Sequence, residues 1–234
     1  MLFRSNGSKT FITNGHHADL VVVVTKTDAD AGTKGVSLVI VESRKDPGFR
    51  VGRLLEKLGQ KGGDTTELFF DDVRVPADRL LGGVEGKGFY QLMSELRYER
   101  TMLGVSAAAT IERALQLTVD YTRDRKVFGS TLLQLQNTRF KLAEAKTQAV
   151  IGRVFIDHCI QRMIDGTMDT ETASMAKLWL SETEGKVVDE CLQLFGGYGY
   201  MLEYPIAQMY ADVRIDRIFA GSSEIMKEII ARAL

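Results

Sequence analysis

Residues 65–76, TTELFFDDVRVP, mark the point at which the character of the chain changes. Apolar and polar residues alternate along this stretch as far as Val75, as in a β-strand with one buried face, and Pro76 then closes it. Strand composition also occupies residues 8–14, 19–25 and 36–41, with turns rich in Gly, Asp and Pro between these runs. We therefore expect an antiparallel sheet in the first eighty residues.

The remainder of the chain has a helical pattern. From about Gly86 to Leu234 it contains one proline, Pro205, and long segments of helix-forming residues repeat apolar positions every three or four residues. The first of these helices is expected from Gly86 to about Arg123. The fold class is accordingly α+β, with a β domain at 1–80 and an all-α helical bundle at 81–234.

The composition excludes several classes of protein. The chain has 234 residues, 44% of them hydrophobic, and 30 Lys and Arg against 31 Asp and Glu. Such a chain folds around a core and has no overall charge that would attract nucleic acid. No apolar run approaches the ~18 residues of a membrane helix, and no basic and apolar signal begins the chain. Cys159 and Cys191 lie in helical patterns, which favours reduced, buried thiols in a reducing compartment.

Two features concern the edges of the fold. The second long helix has one apolar stripe through Leu142 and Ala145 and another through Phe140 and Val150, so we expect a homo-oligomer. At the N-terminus, the turn-like residues 6–9, NGSK, follow only five residues, although such a turn normally joins two strands. The sequence thus predicts a sheet edge without its partner, in a piece of a longer protein.

One acidic residue stands out on the first bundle helix. An apolar stripe steps through Leu92, Leu96, position 99, Leu103 and Ala107, and position 99 is Glu99. Two interpretations remain open: a buried acid paired with an arginine of a neighbouring helix, or a general base, since desolvation makes a carboxylate more basic.

Other segments have both a structural and a ligand-binding interpretation. The glycines of 193–200, QLFGGYGY, either end a helix or let the backbone approach a phosphate. RKVFG at 125–129 either complements a helix dipole or binds a phosphate. The two serines and the acid of 217–226, RIFAGSSEIM, would cap a helix whose N-terminus also suits an anion. The histidines, His16, His17 and His158, lack the spacing of metal ligands, so no metal is assigned.

Together these segments resemble the acyl-CoA dehydrogenase family. The resemblance is carried, in family order, by GSKTFITNG (7–15), DTTELFFDDVRVP (64–76), RYER (97–100), RKVFG (125–129), QLFGGYGY (193–200) and AGSSEIM (220–226). It implies the C-terminal part of the family's middle β domain followed by an up-and-down four-helix bundle, without the N-terminal helical domain. It also implies FAD as cofactor and an acyl-CoA thioester as substrate.

The resemblance assigns individual positions. The implied cofactor-binding residues are Phe11, Ile12, Thr13, Arg125, Phe128, Gln136, Gln193, Leu194, Phe195, Gly196, Gly197, Ser222, Ser223 and Glu224. Thr13 would contact flavin N5. Arg125, Gln136 and the backbone of residues 193–197 would contact the FAD pyrophosphate and adenosine across a subunit interface, to which Phe128 also belongs. The implied substrate-binding residues are Thr33, Lys34, Tyr90, Arg97, Tyr98, Arg100, Ala220 and Gly221. Thr33 and Lys34 would hold the CoA moiety.

The catalytic base follows from a departure from the commoner family pattern. Many relatives carry a catalytic Glu immediately before the loop glycine, where this sequence has Ala220. A smaller branch, which includes the isovaleryl-CoA and long-chain enzymes, places the Glu before an Arg on the first bundle helix, and Glu99 with Arg100 matches that branch. The apolar periodicity of the first bundle helix and the family resemblance therefore both point to Glu99 as the catalytic base.

The implied reaction is α,β-dehydrogenation of acyl-CoA to trans-2-enoyl-CoA, with electrons passed to an electron-transfer flavoprotein. The resemblance further implies a tetramer without membrane insertion, in a bacterial cytoplasm or a mitochondrial matrix. Two alternatives remain: an acyl-CoA oxidase, which uses O₂ directly, and a non-catalytic helical assembly module that does not retain FAD. The sequence does not indicate the length or branching of the acyl chain.

Overall fold

The computed structural model describes residues 2–234, so Met1, which begins the expected β domain, lies outside the described residues. The chain divides into two compact units, Met1–Glu95 and Leu96–Leu234. The division falls within the first long helix, later in the chain than the boundary expected at residue 80.

The first unit contains antiparallel strands, as expected. They are β1 (Leu2–Thr13), β2 (Leu20–Lys26), β3 (Val36–Glu42), β4 (Phe49–Leu54) and β5 (Thr65–Pro76). Strands β1, β5 and β4 form one sheet in that order, so β1 is an edge strand, and β2 pairs with β3 in a second sheet. The core between them consists of Val23, Val39, Val41, Leu68, Phe70, Val73, Val75 and Leu80.

The turn expected at residues 6–9 is wrong, because Asn6 and Gly7 lie inside β1. The register between β1 and β5 shifts at this point, and the Asn6 side chain accepts a hydrogen bond of 2.8 Å from the Asp72 N–H. Asp72 has a φ of 49°. The turn-forming residues thus build a β-bulge, and the alternation of β5 resets across it, so that Phe70 and Val73 both face the core.

The second unit is a helical bundle, as expected, and the described residues form five helices in this part of the chain. They are α1 (Gly88–Asp124), α2 (Gln136–Ile164), α3 (Thr170–Phe195), α4 (Pro205–Asp212) and α5 (Ser223–Ala231). A small hairpin of β6 (Lys126–Val127) and β7 (Ser130–Thr131) joins α1 to α2. The two short helices α4 and α5 both pack against α3. Among the described residues, no helix is long and apolar enough to cross a membrane.

Small residues allow the long helices to approach closely. A Cβ atom on Gly104 of α1 would lie 2.9 Å from Ile156 of α2 and 3.1 Å from Leu180 of α3. One core cluster surrounds this point, and a second lies toward the other end of the bundle around Ile111, Val188 and Ile206. Cys159 and Cys191 are free and buried, as expected.

The two stripes of α2 differ in burial. Leu142, Ala145 and Ala149 are buried in the bundle. Phe140 is 58% exposed, Val150 50% and Val154 67%. Within residues 2–234, the second apolar stripe is therefore left exposed.

Candidate active site

The end of β1 projects a side chain outward. Phe11 has a φ of 62° and is 77% exposed, and it lies at a second register shift between β1 and β5. Ile12 packs against the core of the β unit, whereas Thr13 is exposed and pairs with Thr65. A left-handed phenylalanine is an unfavourable conformation that the surrounding strands must hold, which is typical of a functional position.

Thr33 and Lys34 lie in a 3₁₀ turn, Gly32–Gly35, between β2 and β3, and both are exposed. The Lys26 ammonium donates a hydrogen bond of 2.6 Å to the Gly32 carbonyl and fixes the turn. Gly86 passes so close that a Cβ there would lie 2.2 Å from the Lys34 carbonyl oxygen. The turn is thus rigid while its two side chains face solvent. Tyr90, four residues beyond Gly86, is also exposed.

Glu99 does not face the bundle core, which corrects the expectation from periodicity. Glu99 is exposed, and the buried residue is its neighbour Arg100, which is 5% exposed. The inward stripe of α1 continues from Arg100 and Thr101 to Ala107 and Ala108, one position away from the stripe expected. Each residue rotates a helix by about 100°, so this change of phase places Glu99 at the edge of the stripe.

The structure also removes the ion-pair interpretation of Glu99. Within residues 2–234, its carboxylate has no hydrogen bond and no cation within 4.0 Å, although it interacts electrostatically with Arg100. Arg97 is held elsewhere, since its guanidinium donates a hydrogen bond of 3.1 Å to the Met168 carbonyl. Tyr98 is exposed. Among the described residues, the carboxylate of Glu99 is therefore exposed and lacks an ion-pair partner within 4.0 Å.

Arg100 lies against the loop that precedes α5. Its guanidinium donates a long hydrogen bond of 3.4 Å to the Ser174 hydroxyl, and its Nε has no partner within the described part of the chain. Burial lowers the pKa of Arg100, and Glu99 partly opposes this effect. A Cβ on Gly221 would lie 3.8 Å from the Arg100 guanidinium. The structure therefore brings together Arg100 and Gly221, two of the predicted substrate-binding residues.

The start of α5 is not capped by the serine hydroxyls, contrary to expectation. Ser222 is the N-cap residue but makes no side-chain capping hydrogen bond. Its hydroxyl instead bonds to the Glu224 carboxylate and lowers the pKa of that carboxyl group. The Ser223 hydroxyl donates a hydrogen bond of 2.7 Å to Glu182 of α3. The nearby carboxylates attract these hydroxyls away from the helix end.

A cleft of about 690 Å³ lies between the end of α1 and the end of α3. It is lined by Arg125 and by residues 193–197, so the structure brings together six of the predicted cofactor-binding residues. Within the described residues, Arg125 has no carboxylate within 4.0 Å, and its guanidinium lies 5.4 Å from the Tyr198 ring centre. Gly196 and Gly197 have open space where a Cβ would stand. An unpaired guanidinium beside an open glycine backbone suits a phosphate group.

Eight of the predicted cofactor-binding residues lie outside this cleft, and two of these, Phe128 and Gln136, lie near the small hairpin between α1 and α2. Phe128, in the loop of the small hairpin, has a φ of 49° and is 96% exposed. Gln136 is exposed at the first turn of α2. Conversely, sequence reasoning missed Tyr121, which stacks on Phe195 with ring centres 4.1 Å apart and donates a hydrogen bond to its carbonyl. Tyr121 precedes Arg125 by one helical turn, and that spacing is the signal that could have revealed it.

No metal site is formed in the described part of the chain. Among residues 2–234, no three His, Cys, Asp or Glu side chains are grouped so that they could hold a metal ion.

The fold and these sites define an α+β protein whose helical part combines a glycine-lined cleft with a buried arginine beside a strained loop. The chain belongs to the acyl-CoA dehydrogenase family. Residues 86–234 match the C-terminal domain of that family, and residues 3–73 match its middle domain.

Individual relatives agree with this assignment. The chain is 48% identical over 231 residues to the mitochondrial long-chain specific acyl-CoA dehydrogenase of Mus musculus, covering 98% of this chain and 53% of that protein. It is 39% identical over 229 residues to an acyl-CoA dehydrogenase of Bacillus subtilis, covering 98% of this chain and 60% of that protein. The chain thus spans about half the length of the curated relatives it matches.

Solved structures show the same fold. An acyl-CoA dehydrogenase from Geobacillus kaustophilus superposes with a TM-score of 0.96 at 47% identity, over 99% of this chain and 61% of that one. Butyryl-CoA dehydrogenase from Megasphaera elsdenii superposes with a TM-score of 0.94 at 37% identity, over 99% of this chain and 60% of that one.

Proposed function

We propose that this chain carries out flavin-dependent α,β-dehydrogenation of an acyl-CoA thioester to trans-2-enoyl-CoA, with Glu99 as the base that removes the α-proton. The observation that carries the proposal is the pair Glu99–Arg100. Arg100 is buried against the loop at Gly221, and the adjacent Glu99 is an exposed carboxylate without an ion-pair partner among the described residues. Because the loop itself has Ala220, Glu99, which precedes the buried Arg100 on α1, would take the role of the base.

The α-proton of a thioester is weakly acidic, so charge that develops on the thioester oxygen must be stabilised by hydrogen-bond donors. The backbone of the loop at Ala220 and Gly221 would supply such donors. Its left-handed φ values of 50° and 97° fix the direction of its N–H groups. Glu99 would accept the proton, while Thr33 and Lys34 would hold the CoA moiety and Tyr90, Arg97 and Tyr98 would line the acyl pocket.

FAD, when bound, supplies the acceptor of the β-hydrogen at its N5 atom. The residues of the helical cleft fit its phosphates, because Arg125 has no competing carboxylate within 4.0 Å in the described chain and Gly196 and Gly197 leave open space. The start of α5 at Ser222–Glu224 and the end of β1 at Phe11–Thr13 would contribute the remaining contacts from this chain.

The proposal also includes the assembly of several copies of the chain. We expect a homo-oligomer, with a tetramer as the family's usual form, because the apolar stripe of α2 is left exposed by the described part of the chain. Arg125, Gln136 and the backbone of residues 193–197 would then contact the pyrophosphate and adenosine of the FAD of a partner subunit, and Phe128 would lie in the same interface. Electrons would pass to an electron-transfer flavoprotein, in a bacterial cytoplasm or a mitochondrial matrix.

The function is tested by mixing the FAD-loaded holoenzyme that contains this chain with a panel of acyl-CoA esters without oxygen. We expect bleaching of the flavin absorbance and formation of the trans-2-enoyl-CoA. Oxygen consumption without an electron-transfer flavoprotein would indicate an acyl-CoA oxidase instead. A protein that copurifies without FAD, and does not bind added FAD, would indicate a non-catalytic assembly module.

A further inference from the structure

Lys177 of α3 is completely buried, with 0% of its surface exposed, and the proposed chemistry does not use it. An ammonium group is among the most costly groups to bury, so a fully buried lysine needs a specific partner. The Lys177 Nζ donates a hydrogen bond of 2.7 Å to the carbonyl oxygen of Gly221. The partner is therefore the backbone of the loop that precedes α5.

That loop has an unfavourable backbone conformation. Ala220 has a φ of 50° and Gly221 a φ of 97°, so two consecutive residues are left-handed and the first has a side chain. A Cβ at Gly221 would lie 2.6 Å from the Cε of Met226, so a side chain there would displace the end of Met226 and would be strained by the positive φ. Such a conformation persists only where neighbouring groups hold it.

Two buried cations flank this loop. Lys177 contacts the Gly221 carbonyl oxygen, and the Arg100 guanidinium lies beside the Gly221 Cα. The charged groups that act on Lys177 are the attractive carboxylates Asp216, Glu182 and Glu224 and the repulsive Arg100. None of these carboxylates has an oxygen within 4.0 Å of the Lys177 Nζ in the described residues. Within the described residues, the Lys177 ammonium donates its one hydrogen bond to the Gly221 carbonyl oxygen.

We propose that Lys177 is a positioning residue for the loop 220–222. By holding the Gly221 carbonyl, it fixes the direction of the Ala220 and Ser222 peptide groups at the site proposed for the thioester and the cofactor. A cation on a carbonyl oxygen also polarises the peptide group, which makes the Ser222 N–H a stronger donor. This inference rests on the proposed function, but the ordering of the loop can be measured without it.

The test compares Lys177→Met with Lys141→Met in the FAD-loaded holoenzyme. Methionine keeps most of the length of the lysine side chain and removes its donor and charge. Lys141 provides the matched control, because it pairs with Glu190 at 2.8 Å on the α2–α3 surface, away from the loop. Two quantities are measured: amide hydrogen exchange of residues 219–226, and the rate of flavin reduction at saturating acyl-CoA together with the acyl-CoA dissociation constant.

For Lys177→Met we expect exchange at 219–226 to rise and the rate at saturation to fall, each by about tenfold or more, as for the loss of a charge-assisted hydrogen bond. The acyl-CoA dissociation constant should change by less than about threefold, because the loop acts mainly in the transition state. Lys141→Met should change neither quantity. If Lys177→Met does not fold, Lys177→Gln is used instead, because glutamine retains an N–H donor. In that variant we expect a smaller rise in exchange at 219–226 and a smaller fall in the reduction rate.

Unchanged loop exchange and an unchanged reduction rate would overturn the inference. Exchange that rises throughout the helical unit in both variants would also overturn it, since Lys177 would then be a general determinant of the fold. If instead the wild-type flavin is not reduced by any acyl-CoA, the proposed function fails, while the loop exchange still tests the position of Lys177.

Discussion

Glu99 and Arg100 are consecutive residues of α1 with opposite environments: Arg100 is 5% exposed beside Gly221, whereas Glu99 is exposed. The buried guanidinium ties α1 to the loop before α5, and the preceding residue, Glu99, lies about 100° around the helix from it. The proposed base is therefore positioned by its neighbour.

Arg125→Ala should weaken binding of FAD by about tenfold to a hundredfold, as expected when one charged hydrogen-bond donor to a phosphate is lost. The binding is measured by titrating apoprotein with FAD and following flavin fluorescence. Arg123→Ala is the matched control, because Arg123 lies on the same helix end but does not line the cleft of Arg125. Equal affinities of the two variants would contradict the placement of the cofactor phosphates at this cleft.

The buried acids Glu184 and Asp216 predict a pH dependence of stability. Burial, and next the charge of Asp216, raise the pKa of Glu184 to about 9, and a side-chain hydrogen bond joins the two. Burial also raises the pKa of Asp216, while Lys177 favours its charged form. Glu184 therefore keeps its proton and donates a hydrogen bond to the Asp216 carboxylate.

Between the ordinary glutamate value of 4.5 and about 9, the folded protein binds more protons at Glu184 than the unfolded chain does. The contribution of this group is thus complete below 4.5 and is lost as the pH rises toward 9. Glu184→Gln stays neutral and should make the melting temperature depend less on pH in this window. Glu203→Gln, at an exposed position, should keep the wild-type dependence. If the melting temperature depended on pH in the same way in the wild type and in both variants, that result would contradict a protonated Glu184.

The packing of the bundle predicts that shortening the side chain of Ile156 strongly lowers stability. Ile156 is 0% exposed where α1, α2 and α3 meet. Ile156→Ala should lower the free energy of unfolding by about 2–5 kcal/mol, through lost burial and the cavity left behind. Ile151→Ala, at a position that is 49% exposed on the same helix, should cost less than about 1 kcal/mol. Denaturant unfolding is followed by the fluorescence of Trp179, the single tryptophan, which packs against this cluster. A comparable decrease in the free energy of unfolding in both variants would contradict the burial of Ile156 between the three long helices.

The exposed stripe of α2 predicts that assembly is sensitive to charge. Val154 is 67% exposed, and Val154→Glu would place a carboxylate in an apolar interface, at a cost of several kcal/mol. We expect light scattering to show a smaller assembly for this variant. Thr170→Glu, at the exposed first residue of α3, should leave the assembly unchanged. A Val154→Glu protein of wild-type mass would show that this stripe is not the interface.

Much of the fold could be predicted from local patterns. The strand pattern of 65–76 corresponds to β5, and the change at Pro76 separates strands from helices. The bulge at Asn6 was not predictable, because its partner, the Asp72 N–H, is distant in sequence. Turn-forming residues have the same local preference in a bulge as in a hairpin, so only the pairing decides between them.

The site was predicted less completely, because its polar residues are buried by tertiary contacts. Periodicity treated Arg100 as a surface residue, although Ser174 and the loop at Gly221 give it a buried position. The phase of the stripe was therefore displaced by one residue, and Glu99 was expected inside. Nothing in the local pattern of α3 indicated that Lys177 and Glu184 are buried, since charged residues usually lie at the margin of an apolar face.

The central claim, that Glu99 is the base, is tested most directly by the rate of flavin reduction in Glu99→Gln holoenzyme mixed with saturating acyl-CoA. Glu95→Gln, an exposed glutamate one turn earlier on α1, is the control. We predict that Glu99→Gln binds acyl-CoA with near wild-type affinity and reduces its flavin at least about a hundredfold more slowly, as expected for loss of a general base, while Glu95→Gln behaves as wild type. Flavin reduction at a near wild-type rate in Glu99→Gln would contradict the assignment.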